Sequence, residues 1–187
     1  GFYGGVLARH GRFVDGADIS SNILSHENRR FYREINVADL GVPMTGLNMQ
    51  GGYDVVFSSE VIEHVENYRV FLRNAFDALR PGGKMLLTTT TYSCALPILL
   101  QTRPRDLAGL AAWWEFAAGW LGSERHRTKF TTRLWGWTKG HYHGFSKGQL
   151  HRALADIHFD NIRIDYLHVM PVIHTDFFDN PFKSLSY

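Results

Sequence analysis

Residues 53–90 read YDVVFSSEVIEHVENYRVFLRNAFDALRPGGKMLLTTT, and their pattern predicts a strand, a helix and a second strand. Residues 53–58 form a short apolar run, which is typical of a strand buried on both faces. Apolar side chains then recur at helical spacing and predict an amphipathic helix. The polar residues between them are expected to face water: Arg69, Arg73, Asn74 and Asp77.

A Pro-Gly-Gly turn at 81–83 is expected to end this helix, because proline lacks an amide hydrogen and glycine tolerates positive φ. Residues 84–90 then form the second strand. A strand, a crossover helix and a strand of this length form a right-handed unit with parallel strands in nearly all cases. Ligands of such sheets bind beyond the carboxyl ends of the strands, here residues 58–64 and 88–92.

Turn and periodicity signals predict the remaining elements along the chain. Helices are expected at residues 2–10, from Ser20 or Ser21 to about residue 30, and at 145–157, and strands at 12–18, 31–37 and 161–169. The glycine and proline content of residues 41–52 predicts a loop.

After residue 90 the regular alternation lapses, and residues 105–121 form a helical run that is apolar almost all round. With Glu115 inside it, the run has fewer than the roughly 18 uninterrupted apolar residues that a membrane span needs. We therefore expect a buried helix, a lid or an interfacial element.

The motifs of the quoted stretch resemble those of one enzyme family. FSSEVIEHV followed by LRPGG, with Tyr53 and Asp54 opening the strand, is similar to the middle of a class I S-adenosylmethionine-dependent methyltransferase of the small-molecule group. The opening segment GFYGGVLARHGRFVDGADIS resembles the first helix and second strand of that fold. Gly1 is then in register with the last glycine of the family's glycine-rich loop.

The resemblance covers residue 1 to about residue 161 and implies a doubly wound α/β fold with a mostly parallel, Rossmann-like sheet. It implies one methyltransferase domain over residues 1–187, with a helical, tryptophan-rich lid or insertion at 92–145 after the fifth family strand. Because the family's first strand would precede residue 1, the domain is expected to lack that strand.

Composition agrees with one domain. The chain has 187 residues, of which 44% are hydrophobic and 20% charged, as is typical of soluble globular proteins. Its single cysteine, Cys94, excludes an internal disulfide and favours a reducing compartment. We therefore expect a cytoplasmic location, with peripheral attachment to a membrane as the alternative.

Acidic residues at two strand ends match the family's cofactor site. Asp18 ends the second family strand, where a carboxylate accepts ribose hydroxyls; its alternative role is to cap the helix that follows. Asp39 resembles the acid that contacts adenine, and its alternative is an Asx turn. The resemblance assigns the following positions to S-adenosyl-L-methionine: Gly1, Phe2, Tyr3, Asp18, Ile19, Ala38, Asp39, Leu40, Ser58, Ser59 and Glu60.

Two residues are candidates for catalysis. His64 could take a proton from a hydroxyl or amine as the methyl group arrives, and its alternative is a structural hydrogen-bonding role. Tyr92, after the fifth family strand, is expected to face the substrate side. Glu60, Glu63 and His64 lie too close together on one helical turn to face a single point, so no metal site is predicted.

All five tryptophans fall between residues 113 and 137, in the segment expected to cover the substrate side. Tryptophan suits an aromatic or prenylated acceptor or a membrane surface, and its alternative role is to fill a small helical core. The candidate substrate residues are Trp113, Trp120, Trp135, His141 and His143. Residues 125–147 contain six Lys or Arg and no acid, so residues 105–147 could contact anionic lipid, or present a solvated basic face.

These features predict an enzyme that transfers a methyl group from S-adenosyl-L-methionine to an oxygen or nitrogen of a small, apolar or aromatic acceptor. One alternative is methylation of nucleic acid or lipid. Nucleic acid is disfavoured because the strand at 53–58 ends in Ser-Ser-Glu, without the acidic or amide residue, two prolines and aromatic of amino-directed nucleic-acid enzymes. The other alternative is a noncatalytic methyltransferase-like binding module.

Overall fold

The protein is described from a computed structural model, which covers residues 2–10, 13–21, 29–44, 52–92, 107–139 and 142–165. Strands and helices alternate in its first half, and helices follow in its second half. In chain order the elements are α1 (Phe2–Arg9), β1 (Asp15–Asp18), β2 (Glu34–Val37), β3 (Tyr53–Ser59), a 3-10 turn (Ile62–His64), α2 (Tyr68–Ala78), β4 (Leu79–Thr88), α3 (Leu107–Trp120), α4 (Glu124–Lys139) and α5 (Lys147–Ala155).

Within the described residues the strands form two parallel pairs. β1 pairs with β2, so that Asp18 lies opposite Val37 at their carboxyl ends. β3 pairs with β4, and there Ser59 lies opposite Thr88. The parallel β3–α2–β4 unit confirms the topology predicted from the sequence. The expected lack of the family's first strand stays a prediction.

Local chemistry explains why α2 forms where it does. The side chain of Asn67 accepts a hydrogen bond from the backbone N–H of Val70 and caps the first turn. The apolar face of the helix is buried, and its members are Tyr68, Phe71, Leu72, Ala75 and Ala78. Asn74, which was expected to face water, is also buried.

The helix ends earlier than the Pro-Gly-Gly turn that was expected to end it. Leu79 already has an extended backbone and pairs with Tyr53 of β3. Regular pairing between β3 and β4 then continues from Val55 and Lys84. The turn therefore lies inside β4 as an irregularity, where Gly82 has a φ of 77°.

One further expectation differs from the structure, and others lie outside its described residues. α4 lies within the segment at 92–145 that was predicted as a helical lid or insertion, although its bounds were not predicted. The strand expected at 161–169 is absent from its described part, since residues 161–165 are irregular. The predicted helix at 20–30 and loop at 41–52 lie largely outside the described residues.

Two buried clusters hold the described residues together. The larger one joins the 3-10 turn, α2 and α5, and contains Ile62, Tyr68, Phe71, Leu72, Phe145, Leu150, Ala153 and Ile157. The smaller one packs α3 against α4 around Tyr92, Phe116 and Phe130. None of the described helices is long and apolar enough to cross a membrane.

Candidate functional site

A cavity of about 820 Å³ lies between the two strand pairs and over the buried face of α2. Its walls come from the length of β1 and β3, the loop after β2, the 3-10 turn and α2. This volume falls in the range of small-molecule and cofactor sites. One part of the cavity is bordered by the carboxyl ends of β1 and β3, where a sheet of this kind binds its ligands.

Two carboxylates line the cavity from neighbouring strand ends, as predicted. Oδ1 of Asp18 accepts the backbone N–H of Ser20 at 2.8 Å, and Oδ1 of Asp39 accepts that of Gly41 at 2.8 Å. In each case one oxygen holds a turn, and no donor from the described residues binds the other oxygen. The turn-forming and ligand-binding roles weighed from the sequence are therefore compatible at both positions.

The end of β3 supplies a buried hydroxyl. Ser58 lines the cavity, and its Oγ has no hydrogen-bond partner in the part of the chain that the structure describes. Buried polar groups are nearly always paired, so this hydroxyl fits a site that receives a polar ligand. Oγ of the next residue, Ser59, lies 2.9 Å from Oγ1 of Thr88 and also borders the cavity.

Glu60 ends the strand sharply instead of lining the cavity with its neighbours. Its backbone N–H donates to the carbonyl of Thr88 at 3.0 Å, and its φ of 52° lies in the left-handed region. That conformation costs a residue with a side chain about 1 kcal/mol or more. The Glu60 side chain is exposed, outside the lining of the cavity.

The other predicted cofactor residues divide into two groups. Ile19, Ala38 and Leu40 line the cavity. The ring of Tyr3 stands edge-on to that of Phe57, 4.8 Å away, and Phe57 is a lining residue. Gly1 and the side chain of Phe2 lie outside the described residues.

The structure separates the two catalytic candidates. His64 lies in the 3-10 turn and lines the cavity. Tyr92 is buried between Phe116 and Phe130, and its hydroxyl donates to the carbonyl of Phe116 at 3.1 Å. Burial raises the pKa of the Tyr92 phenol. His64 is thus brought into the site, and Tyr92 packs in the smaller cluster.

Of the described residues just before α5, Tyr142 reaches the same cavity and the predicted substrate residue His143 does not line it. The backbone N–H of Tyr142 donates to the carbonyl of Glu63 at 2.8 Å. The ring of His143 packs 4.9 Å from that of Tyr68, and its Nε2 donates to the carbonyl of Glu66 at 2.9 Å. Sequence reasoning selected His143 and missed Tyr142, although Tyr142 lies directly between the two histidines it singled out.

Glu63 is a buried acid beside this site. Its Oε2 accepts a hydrogen bond from Oγ1 of Thr89 at 2.9 Å, and its Oε1 has no partner among the described residues. Burial raises the pKa of this carboxyl to about 7. The proton of Glu63 is therefore gained and lost near neutral pH.

Asn74 fixes the loop that carries the second carboxylate. Its Nδ2 donates to the carbonyls of Leu40 and Val42 at 3.0 and 2.8 Å, and its Oδ1 accepts the N–H of Met44 at 3.3 Å. These three bonds fasten the loop after Asp39 to α2. Asn74 also lines the cavity, so it is a positioning residue. The sequence had predicted that its side chain faces water.

The predicted substrate residues of the helical region stand apart from the cavity. Trp113 packs half-buried against the smaller cluster, and Trp120 is largely exposed. In the described part of the chain, no side chain of α3 or α4 lines the cavity. The side chain of Trp135 and the whole of His141 lie outside the described residues.

Comparisons with known proteins agree with this fold. A family model described as a methyltransferase domain matches residues 6–164. The mitochondrial ubiquinone biosynthesis O-methyltransferase of Rattus norvegicus is 32% identical over 71 residues, which are 35% of this chain and 21% of that protein. A probable S-adenosylmethionine-dependent methyltransferase of Mycolicibacterium smegmatis is 31% identical over 93 residues, which are 48% of this chain and 34% of that protein.

A solved structure shares the fold over most of the chain. The S-adenosylmethionine-dependent methyltransferase from Mesorhizobium loti superposes with a TM-score of 0.50 at 19% identity, covering 93% of this chain and 74% of that chain. By contrast, the chain spans only 21% and 34% of the lengths of the two curated relatives.

Proposed function

Because this chain belongs to the methyltransferase-domain family, we propose that it transfers a methyl group from S-adenosyl-L-methionine to an oxygen or nitrogen of a small, apolar or aromatic acceptor. The cofactor of this family is S-adenosyl-L-methionine. When bound, it supplies a methyl group attached to a positively charged sulfur. The acceptor bonds to the methyl carbon, and the sulfur is the leaving group.

One observation carries the proposal. One cavity is lined by Asp18, Asp39, His64, Tyr142 and Ser58, whose hydroxyl has no hydrogen-bond partner among the described residues. Carboxylates at two neighbouring strand ends are suited to accept the hydroxyl and amino hydrogens of a nucleoside. The Ser58 hydroxyl would gain the hydrogen-bond partner that it lacks.

Other residues of the lining suit an acceptor. His64 presents an imidazole, a side chain suited to take the proton of a hydroxyl or amine acceptor when that acceptor becomes a nucleophile. Val61, Val65 and Tyr142 border the same cavity with apolar surface, which favours an apolar or aromatic molecule. The name of the rat relative, an O-methyltransferase of ubiquinone biosynthesis, supports oxygen as the acceptor atom.

The proposal is tested with methyl-labelled S-adenosyl-L-methionine and a panel of phenols, catechols and primary amines, each with and without a short prenyl chain. We expect label in an apolar phenol or catechol and release of S-adenosylhomocysteine. His64→Gln should lower kcat by about a hundredfold, the usual contribution of a positioned base, and leave cofactor affinity unchanged. His151→Gln, on the exposed side of α5, is the matched control.

Cofactor binding without transfer to any acceptor would favour the noncatalytic binding module. Transfer that His64→Gln leaves unchanged would remove His64 from the chemistry and return it to a structural role.

A further inference from the structure

α3 and the residue after it expose large apolar side chains. Leu110, Trp114 and Trp120 are 54%, 67% and 57% exposed, and Leu121, directly after the helix, is 87% exposed. Leu110 and Trp114 are four residues apart and share one side of the helix, whereas Trp120 lies about 120° around it, at the rim of that side, with its ring 5.9 Å from that of Phe116. The opposite side contributes Phe116 to the smaller buried cluster. These four residues form the α3 apolar face.

A basic edge borders the α3 apolar face. The ring of Trp114 lies 6.4 Å from that of His126, whose Nδ1 is held 2.7 Å from Oγ of Ser123. Arg125 and Lys129 flank His126 on α4, and both are exposed. The basic edge consists of these three residues of α4: Arg125, His126 and Lys129.

The two acids of α3 and α4 are turned away from this surface. Glu115 is buried, and Glu124 accepts a hydrogen bond from the hydroxyl of Tyr68 at 2.8 Å. The surface therefore combines tryptophan and leucine with positive charge.

We propose that the α3 apolar face and its basic edge form a docking surface for an anionic lipid bilayer. Tryptophan places an apolar ring and a polar N–H at the boundary between lipid and water, and leucine adds buried apolar area. Arg125 and Lys129 at the rim are attracted to anionic headgroups. In a symmetric dimer through this surface, the basic edges of both copies would meet at one interface, so a second copy fits it less well.

This inference does not depend on methyl transfer, and its test measures binding alone. The protein is floated with vesicles of phosphatidylcholine, either pure or with about one third phosphatidylglycerol. We expect it to bind the anionic vesicles and not the neutral ones, and to be released by high salt. Brominated lipid should quench tryptophan fluorescence in the bound state.

Two double variants separate the apolar and basic contributions. Arg125→Gln with Lys129→Gln should weaken vesicle binding about thirtyfold, since each basic residue near a charged surface contributes about fivefold. Trp114→Ser with Trp120→Ser should weaken it at least about tenfold and abolish the lipid quenching. The matched control, Leu86→Ser with Arg73→Gln, removes exposed apolar and basic side chains from β4 and α2 and should bind like the unaltered protein.

All six side chains are exposed, so melting temperatures should stay close to that of the unaltered protein. Equal vesicle binding by all three variants would overturn the proposal. A Trp114-dependent dimer without vesicle binding would assign the surface to a second copy. Binding of an acidic polypeptide in place of vesicles would assign it to a protein partner, and either result also overturns the proposal.

Discussion

The hydroxyl of Tyr53 donates a 2.8 Å hydrogen bond to Oδ2 of Asp15 and so connects β3 to β1 across the cavity between the two strand pairs. Oδ1 of Asp15 also accepts the backbone N–H of Glu34 at 3.1 Å, and its carboxylate forms an ion pair with Arg33. The Arg33 guanidinium lowers the pKa of Asp15, and burial with the Asp15 contact raises the pKa of Tyr53 to about 12. Both groups therefore keep their hydrogen-bonding forms at neutral pH.

Replacing Tyr53 with Phe should lower the free energy of unfolding by about 1 kcal/mol, because one net hydrogen bond between the strand pairs is lost. Urea denaturation followed by circular dichroism measures the change. Asp54→Asn is the control, since Asp54 pairs with Arg80 at the surface and should change stability by at most about 0.5 kcal/mol. Equal stability of Tyr53→Phe and the unaltered protein would mean that this bond does not hold the strand pairs together.

We expect Asp18 to contribute directly to cofactor binding. Asp18→Ala should leave the fold intact and weaken binding of S-adenosyl-L-methionine by about 1.5–3 kcal/mol, the cost of losing hydrogen bonds to a charged group. Asp18→Asn keeps an oxygen for the Ser20 N–H and removes the charge, so it separates loss of the turn from loss of the ligand contact. Calorimetry that finds unchanged affinity in both variants would remove Asp18 from the site.

Asn74 should affect cofactor affinity through the loop at 40–44, which its hydrogen bonds hold in place. Asn74→Leu keeps the side-chain volume and leaves two carbonyls and one N–H of the loop at 40–44 without their partner. We expect the free energy of unfolding to fall by about 2 kcal/mol and cofactor affinity to fall as Asp39 becomes less well positioned. Arg73→Leu, on the exposed side of the same helix, should change neither quantity. Loss of stability with full cofactor affinity would limit Asn74 to a structural role.

The β3–α2–β4 unit could be predicted from sequence because every signal for it is local. Its apolar strand, amphipathic helix and glycine-rich turn lie within 38 consecutive residues. Asp18 and Asp39 were selected by family resemblance at the end of a short strand, Asp18 as its last residue and Asp39 just after one, and their contacts with a cofactor stay a prediction. The carboxyl end of α2 was predicted too late in the chain. Leu79 pairs with Tyr53 of β3, and this pairing competes with continuation of the helix.

The roles of Asn74 and Tyr92 could not be predicted in this way. Asn74 binds backbone groups 30 to 34 residues earlier in the chain, which no local pattern encodes. Tyr92 turns away from the cavity because Phe116 and Phe130, from two later helices, enclose its ring. The bounds of α4 within the helical segment predicted at 92–145 were not predicted, because its mixture of threonines, tryptophans and basic residues has only moderate helix propensity.

The buried carboxyl of Glu63 predicts a pH dependence of stability. Its pKa is raised from 4.5 to about 7, so the folded protein holds this proton more tightly than the unfolded chain does. Stability is therefore expected to fall as pH rises from about 4.5 to about 7, and this contribution stays lost at higher pH. Glu63→Gln should match the unaltered protein near pH 4.5 and exceed it by up to about 3 kcal/mol above pH 7.

Urea denaturation at closely spaced pH values checks the Glu63 prediction. Glu66→Gln, at a neighbouring exposed acid, should show no such trend. A stability difference between Glu63→Gln and the unaltered protein that is constant with pH would show that Glu63 keeps an ordinary pKa.

Arg127 fastens the helical region to the rest of the domain. Its buried guanidinium donates to the carbonyl of Gly119 at 2.9 Å and to Oγ of Ser146 at 3.2 Å, and it also contacts Gln149. Burial lowers the pKa of Arg127, which marks the cost of enclosing a cation among neutral partners. Through these bonds one side chain of α4 joins α3 to the start of α5.

We expect Arg127→Met to release this connection and leave the cofactor site intact. The variant removes the hydrogen bonds of the guanidinium to three acceptors and leaves Oε1 of Gln149 without its donor among the described residues, so the free energy of opening the helical region should fall by about 2–4 kcal/mol. Hydrogen exchange should accelerate in α3 and α4 and stay unchanged in β3 and α2, while cofactor affinity changes little because neither helix lines the cavity. Arg152→Met, on the exposed side of α5, is the control. Exchange that accelerates equally throughout would contradict the prediction that residues 92–145 form a lid or insertion within the domain.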